Sequence, residues 1–399
     1  MKERRRIAIL QPEIPHYRTE FFEKLEKQCE TMDLFVYNSL ESTQKHGFNI
    51  DANSNLNYIP NRNVHEVLFY NPLPLLNKRY DTLVLMLHFA HVTTWLLLLT
   101  KRLHRKRIIL WGQGISVKRY LKESKKPDWK LKCQIALADG VWIYEEPEAK
   151  QWQAIFLKKP IVALNNTLSG VGEMLRTGVL DETEQSSYET RSYENDTLHY
   201  DTEQSSYETR SMLRYENGSW KESLKRKWGI EQEVVLIFCA RFENNYRRTD
   251  LLVETIERLD AEKYGFIIIG DGKNKPDFMK YKNVHDFGAV YDNNKKKELF
   301  AVADIYFQPG WVGLSIVEAM AYGKPIFTFR RSEETLQCVE YCYIEEGKNG
   351  HIFDNMDDCL HQINALTKEQ ISEMGNEARK LVKTKLMPQQ MVANALSIL

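Results

Sequence analysis

Short apolar segments alternate with amphipathic helical patterns along nearly the whole chain. The segments that resemble strands are Ile7–Leu10, Asp33–Tyr37, Thr82–Leu87, Arg107–Trp111 and Gly140–Tyr144 in the first half, and Val234–Cys239, Gly265–Ile269, Asp304–Gln308 and Pro325–Phe329 in the second. Such alternation is typical of parallel sheets with helices on both faces. Because 399 residues exceed what one hydrophobic core usually serves, we expect an α/β protein with two Rossmann-like domains.

The charge balance and the cysteines exclude several classes of protein. Lysine and arginine together number 55, as do aspartate and glutamate, so the formal net charge is zero. Binding of nucleic acid through overall charge is therefore not expected. The six cysteines are scattered, with no Cys-x-x-Cys pair and no histidine at zinc-ligand spacing. We expect no metal site and no disulfide framework, but reduced thiols in the cytoplasm.

Two segments resemble targeting or membrane signals only in part. The basic N-terminus is followed by a short apolar segment, Ile7–Leu10, which ends at Gln11, so a secretory signal is not expected. The apolar segment Thr82–Thr100 contains two histidines and several threonines. We expect a buried strand, a loop and a helix from about Val92 there, rather than a membrane span.

A duplicated acidic segment lies between the two halves. Thr183–Ser192 and Thr202–Ser211 both read TEQSSYETRS, and the stretch Asp181–Gly218 has ten acids, three arginines and few aliphatic residues. Such a composition buries too little apolar surface to offset the entropy of ordering. We expect a largely disordered or loosely ordered insertion, and a tolerated surface expansion is favoured over a tyrosine-rich regulatory tail.

The run from Ala303 to Pro325 reads as a buried strand, a Pro-Gly loop and a short helix with one acid, Glu318. Backbone N–H groups at the start of a helix can face a phosphate. Earlier in the chain, Arg241 follows a strand and Arg247 enters the next helix. Two guanidinium groups in such positions can clamp a diphosphate, because their shape matches phosphate oxygens. These patterns indicate a site for a phosphorylated ligand.

In this order, the motifs resemble the donor site of retaining, nucleotide-sugar-dependent glycosyltransferases of family 4, in a variant of the cell-surface polysaccharide type. A Gly-Asp-Gly turn at Gly270–Gly272 and the loop Val284–Val290 stand where that family has them. Arg247 replaces the lysine of the family pattern. Glu318 matches the second of two glutamates in that pattern, whereas Gly310 stands in place of the first.

The resemblance implies a GT-B fold, in which two Rossmann-like domains face across a cleft and the C-terminal helix crosses back to the first domain. It implies catalytic roles for Arg241, Arg247 and Glu318. The other implied donor contacts are Gly270, Phe287, Gly288, Gly310, Val312, Gly313, Leu314 and Ser315. The implied substrate is a nucleoside diphosphate sugar, with UDP favoured, and neither a metal nor a cofactor is expected.

The first half is expected to bind the acceptor, a saccharide or a polyprenyl-linked saccharide. Gln11, His16 and Arg18 follow the first strand in a pattern common in this family, and they are candidates to line the cleft. Gln113 ends a later strand where relatives often have a histidine near the reacting sugar. Because glutamine does not titrate, a general base is not expected at that position.

Residues 101–132 contain twelve lysines and arginines and two acids, interleaved with leucines and aromatic residues. Such a surface can lie on anionic lipid, so peripheral attachment to the inner face of the cytoplasmic membrane is one interpretation. A merely solvated basic face is the other.

We expect an acceptor-binding domain over residues 1–170, a linker with the insertion over 171–218, a donor-binding domain over 219–375 and a crossover helix over 376–399. The implied function is glycosyl transfer in the synthesis of a surface polysaccharide. Two alternatives stay open: a sugar-nucleotide epimerase of similar architecture, and a non-catalytic scaffold that uses the insertion.

Overall fold

Two parallel sheets organise the chain. The structure, a computed structural model, describes residues 5–39, 56–177 and 217–399. The strands of the first half are β1 (Arg6–Gln11), β2 (Thr31–Val36), β3 (Leu56–Tyr58), β4 (Asn61–Val64), β5 (Val67–Tyr70), β6 (Thr82–Met86), β7 (Arg107–Gly112), β8 (Gly140–Ile143) and β9 (Ile161–Ala163). Seven of them form one parallel sheet in the order β3-β2-β1-β6-β7-β8-β9, while β4 and β5 pair as an antiparallel hairpin.

Helices cover both faces of this first sheet. They are α1 (Thr19–Glu26), α2 (Val92–Leu99), α3 (Lys101–His104), α4 (Tyr120–Glu123), α5 (Trp129–Leu137) and α6 (Glu146–Ile155). Along β1, Ile7 and Ile9 pack into one core, and Ala8 and Leu10 pack into the core on the opposite face. This two-sided burial explains why the strand is apolar at nearly every position.

The second sheet has six parallel strands. They are β10 (Val234–Cys239), β11 (Tyr264–Ile269), β12 (Val284–Asp286), β13 (Ile305–Phe307), β14 (Ile326–Phe329) and β15 (Gly350–Phe353), in the order β12-β11-β10-β13-β14-β15. The helices of the second half are α7 (Val171–Thr177), α8 (Asn217–Trp228), α9 (Thr249–Arg258), α10 (Asn293–Val302), α11 (Ser315–Ala321), α12 (Met356–Ala365), α13 (Lys368–Lys385) and α14 (Pro388–Leu396).

The strand order reverses direction between β10 and β13 in the second sheet, and between β1 and β6 in the first. In open parallel sheets, ligands bind outside the carboxyl ends of the strands at such a reversal. The loops that follow β10 and β13 therefore meet at the place where a ligand of the second domain is expected.

The last helix returns to the first domain. α13 packs against α11 in the second domain, and it ends before Pro388, which cannot continue a helix because it lacks an N–H donor. α14 then packs against α1, where Met391 and Ala395 are fully buried in the core that contains Ile7 and Ile9. The expected α/β architecture, with a C-terminal helix that crosses back, is confirmed.

The strands predicted from apolar segments are all present, and the predicted helix from Val92 is α2. The sequence missed β3, β9 and β12, which have only three residues each, as well as the four-residue β15 and the β4–β5 hairpin. The hairpin turns through His65 and Glu66 with φ of 48° and 66°, without the glycine that usually marks such a turn. The duplicated insertion lies outside the described residues.

The ends of the interdomain segment contribute to the second domain. Val171 and Leu175 of α7 are buried in the core of that domain together with Leu224 of α8. Within residues 5–39, 56–177 and 217–399, none of the helices combines the length and the apolar character that a membrane crossing requires.

Candidate active site

The first element of the site is the loop after β10, which carries two arginines. Arg241 is exposed, and Arg247 ends a short turn that Asn244 caps by accepting a hydrogen bond from the N–H of Tyr246. Arg247 donates from Nη1 to the carbonyl oxygen of Trp311 over 2.6 Å. Burial, assisted by the charge of Arg241, lowers the pKa of Arg247. Arg241 therefore lies close enough to Arg247 for its positive charge to act on that guanidinium.

Gly270, at the end of β11, packs against this arginine loop. Its φ is 148°, and a Cβ atom there would lie 2.0 Å from the carbonyl oxygen of Ala240. Any other residue would force the two loops apart. The N–H of Gly270 donates to the carbonyl oxygen of Gly288 over 2.8 Å, which ties the loop after β12 to the same edge.

The loop after β12 contains the two residues that the resemblance places near a base. The ring of Phe287 packs edge-on against Trp228, 5.4 Å between centroids, and Lys295 lies over it at 5.0 Å. The N–H of Gly288 donates to Asp286 over 3.0 Å. Both residues therefore lie in the loop where the resemblance expects them. The ring of Phe287 and the N–H of Gly288 already have partners within the second domain.

The loop from Gly310 to Ser315 is held by a buried glutamine. Gln308 donates from Nε2 to the carbonyl oxygen of Trp311 over 2.6 Å, and its Oε1 accepts from the hydroxyls of Tyr306 and Ser315. A second buried glutamine, Gln337, accepts from the N–H of Val312 over 2.9 Å. These two amides fix the backbone that the resemblance places beside the diphosphate and the sugar.

At Gly310, where the family pattern has a glutamate, the neighbouring loop leaves no room for a side chain. A Cβ atom on Gly310 would lie 2.5 Å from the carbonyl oxygen of Tyr246 and 2.8 Å from the side chain of Arg248. The ring of Tyr246 also stacks on Trp311, with 4.8 Å between centroids. By contrast, a Cβ atom on Gly313 would meet no atom within 4 Å. A glutamate at position 310 therefore does not fit the present packing of these loops.

Glu318 lies on α11, and its carboxylate accepts a hydrogen bond from Lys296 of α10, with 2.6 Å between Nζ and Oε2. The side chains are 11% and 23% exposed. Burial lowers the pKa of Lys296, but the charges of Cys239 and Glu318 outweigh it, so that pKa is raised. Lys296 is therefore protonated at neutral pH.

Three of the four residues predicted in the first domain lie at or just after the carboxyl ends of β1 and β7. His16 and Gln113 are exposed, and Gln11 is buried at the end of β1 with no partner for its amide nitrogen. Burial and then the charge of Lys296 lower the pKa of His16. The charge of Lys296, on the second domain, thus acts on His16 of the first.

Arg18 is placed differently from the expectation that it lines the cleft. Its guanidinium is buried and donates to Asn166 over 2.8 Å and to Tyr144 over 3.1 Å. Asn166 in turn donates to the buried carboxylate of Glu340 in the second domain over 2.7 Å. Arg18 thus belongs to a polar bridge between the domains.

Further contacts join the domains beside this bridge. Arg331 lies over the ring of Tyr120 at 3.6 Å, and Lys118 lies over the ring of Tyr246 at 5.8 Å. Each pair has one partner in each domain. They hold the carboxyl edges of the two sheets opposite one another.

The basic segment 101–132 divides into buried and exposed parts. Lys106 is buried and donates to the carbonyl oxygens of Asn77 and Tyr80, so part of the segment belongs to the core rather than to a surface. Leu99, Leu103 and Trp129 are 68%, 82% and 67% exposed. They lie on helices around which the exposed lysines and arginines cluster.

The sequence did not single out Lys296, Gln308 or Gln337 as site residues. Gln308 could have been found, because it ends a buried strand directly before the Pro-Gly loop. Lys296 gives no local signal, since it stands in a run of three lysines at the start of a helix.

Two Rossmann-like domains with facing carboxyl edges, and a final helix that returns to the first domain, define the GT-B fold. Solved structures of glycosyltransferases share it over nearly the full chain. HepE of Anabaena in complex with UDP aligns with a TM-score of 0.59 and 12% identity, over 99% of this chain and 100% of that chain. The apo form of the lipopolysaccharide outer core galactosyltransferase WaaB aligns with a TM-score of 0.59 and 11% identity, over 98% of both chains. TarM aligns with a TM-score of 0.57 and 11% identity, also over 98% of both chains.

The second domain also resembles a known family in sequence. The family described as "Glycosyl transferases group 1" matches residues 233–369, which contain both arginines, Lys296 and Glu318. Over this domain the chain is similar to the group 1 glycosyltransferases. No curated protein sequence matches the chain significantly.

Proposed function

We propose that the chain transfers a glycosyl unit from a UDP-sugar to a saccharide or lipid-linked saccharide during synthesis of a surface polysaccharide, with retention at the anomeric carbon. The choice of UDP is supported by HepE, which has been solved with UDP and with UDP-glucose. The acceptor class is supported by WaaB, a galactosyltransferase of the lipopolysaccharide outer core.

The observation that carries this proposal is the composition of the edge formed by β10 and β13. Arg241 and Arg247 supply two positive charges for the diphosphate, and Glu318 supplies a carboxylate for the ribose hydroxyls. In the first domain, the pKa of His16 is lowered by burial and by the charge of Lys296. Donor and acceptor would thus meet between two edges that the interdomain contacts hold in place.

For the chemical step we favour displacement on one face of the sugar. The bond from the anomeric carbon to the diphosphate oxygen breaks, the acceptor oxygen bonds to that carbon on the same face, and the departing phosphate oxygen takes the acceptor proton. Arg241 and Arg247 stabilise the charge that develops on the diphosphate. Trapping of a covalent glycosyl group on an Asp or Glu would contradict this step.

The decisive experiment combines nucleotide binding with turnover. A thermal-shift panel of UDP, GDP, ADP and their sugars should show stabilisation by the cognate donor, by roughly 2.7 kcal/mol at a hundredfold excess over the dissociation constant. Labelled donors should then release nucleotide in step with labelled product only when a lipid-linked acceptor is present. Nucleotide release without any acceptor would favour the epimerase instead. If the intact chain shows no turnover and deletion of residues 181–218 abolishes its function, the scaffold is favoured, whereas an enzyme should largely keep turnover after that deletion.

We also propose that the exposed basic and apolar part of segment 101–132 attaches the protein to an anionic membrane surface. Lys122, Lys125 and Lys126 are exposed close to Leu121 and Trp129 in the chain. Each cation near such a surface contributes on the order of 1 kcal/mol. Changing the three lysines to glutamate should abolish sedimentation with phosphatidylglycerol vesicles, whereas the same change at Lys280 and Lys282 of the second domain should not. Equal binding by both variants would contradict the proposal.

A further inference from the structure

Lys296 and Glu318 lie on the neighbouring helices α10 and α11. One turn further along, a pair of aromatic rings makes a second contact between these two segments. Four residues after Lys296, Phe300 of α10 is fully buried, and four residues after Glu318, Tyr322 follows α11. The rings of Phe300 and Tyr322 stack with 4.9 Å between centroids and 25° between planes. Residues four apart lie on the same face of a helix, so the ion pair and the ring pair form two successive contacts between α10 and α11.

This packing fixes where the ammonium group of Lys296 can lie. It bonds to one carboxylate oxygen, Oε2 of Glu318, over 2.6 Å. The side chains of both partners are largely removed from water, at 23% and 11% exposure. An ion pair with this burial holds its geometry better than an exposed pair, since fewer rotamers and fewer competing waters are available.

We infer that Lys296 is a positioning residue of the donor site: it holds Oε2 of Glu318, so that the other carboxylate oxygen is turned to accept hydrogen bonds from the ribose hydroxyls of the nucleotide. The inference rests on the proposed function and names a residue that the family resemblance does not include. Lys296 acts through Glu318, and its effect on nucleotide affinity therefore depends on the ribose hydroxyls.

The test measures binding of UDP and of 2′,3′-dideoxy-UDP by calorimetry. The variants are Lys296→Met, Lys296→Arg, Glu318→Gln and the double variant Lys296→Met/Glu318→Gln, which leaves no buried unpaired charge. Lys297→Met is the matched control, because Lys297 is turned by about 100° around the helix axis from Lys296.

Loss of a hydrogen bond to a charged group predicts that K296M and E318Q each weaken UDP binding by about tenfold or more. All variants should bind the dideoxy nucleotide like the wild-type chain, and the double variant should be no weaker on UDP than E318Q alone. K296R should recover most of the loss, and K297M should bind both nucleotides normally. A merely structural role for Lys296 would instead weaken both nucleotides equally.

Failures of the inference and of the proposed function are distinguishable. If the wild-type chain binds UDP and K296M binds it equally well, or if K296M loses affinity for both nucleotides to the same extent, the inference is overturned and the function stands. If the wild-type chain binds none of UDP, GDP and ADP, the proposed function is overturned and the inference with it. If only GDP or ADP binds, the same series is run with that nucleotide and its dideoxy form, with the same criteria.

Discussion

The carboxyl edges of the two sheets hold their polar side chains in different ways. On the second sheet, Arg247, Gln308 and Glu318 each bond to a neighbour within the domain. On the first sheet, His16 and Gln113 are exposed. A preformed edge lowers the cost of ordering side chains when a ligand binds. Under the proposed function, the edge of the second sheet is the donor edge, which is thus set before binding. The edge of the first sheet is then the acceptor edge, which leaves its contacts to the incoming substrate.

The largest expected effect comes from removing charge at the donor edge. Arg241→Ala and Glu318→Ala should each lower kcat/KM at least about a hundredfold, which corresponds to about 2.7 kcal/mol of transition-state stabilisation. Gln113→Ala at the acceptor edge should cost less than about tenfold, because an exposed neutral amide contributes one ordinary hydrogen bond. Steady-state kinetics with a fixed acceptor measures all three. Near wild-type turnover in both donor-edge variants would remove the donor-site assignment.

A second test asks whether the donor edge is as closely packed as the structure shows. Gly310→Glu restores the missing acid of the family pattern but places a side chain against the carbonyl oxygen of Tyr246. We expect a loss of donor affinity of about tenfold and a lower melting temperature, because overpacking costs about 1–3 kcal/mol. Gly313→Ala is the control, since its Cβ would meet no atom within 4 Å. A gain in donor affinity in Gly310→Glu would contradict the packing argument.

A third prediction concerns an acidic side chain of the first domain that is buried beside the second domain. Glu145 is 2% exposed beside the second domain, where burial raises its pKa to about 7 although Cys342 and Arg331 oppose the shift. The folded state therefore holds this proton more tightly than the unfolded chain. The stability contribution is present at low pH and is lost as the pH rises from the usual 4.5 through about 7.

Glu145→Gln removes this titration. Its melting temperature should equal that of the wild-type chain at about pH 5 and exceed it by several degrees at about pH 8, where the wild-type carboxylate is charged and buried. Glu146→Gln, on the neighbouring half-exposed position, serves as the control. Parallel pH profiles for Glu145→Gln and the wild-type chain would show that Glu145 stays solvated.

The smallest effect concerns the electrostatic contact between the edges. Burial and Lys296 lower the pKa of His16, so this histidine should titrate below its usual value of 6.5. In Lys296→Met the pKa should rise but stay below that value, because the larger cause, burial, remains. Histidine chemical shifts recorded against pH measure it. An unchanged pKa in Lys296→Met would show that the two edges lie further apart than the structure places them.

The sequence predicted where the loops of the proposed donor edge lie because its signals are local. Strand β10 ends two residues before Arg241, and β13 ends two residues before the Pro-Gly loop, so each feature is placed by the strand before it. The parallel sheet then brings the two loops together at the reversal of strand order. The acceptor edge offered weaker signals, and Arg18, expected in the cleft, lies instead in the buried bridge to Glu340.

The sequence by itself determined the α/β class, the strands with long apolar runs, the return of the C-terminal helix and the order of the donor motifs, because each depends on residues close together in the chain. Only the tertiary structure decided that Lys296 pairs with Glu318, that Arg18 reaches Glu340 through Asn166, and that Tyr246 fills the space beside Gly310. Those contacts join residues on different elements. No local pattern specifies them, since they depend on how separately formed helices and loops pack.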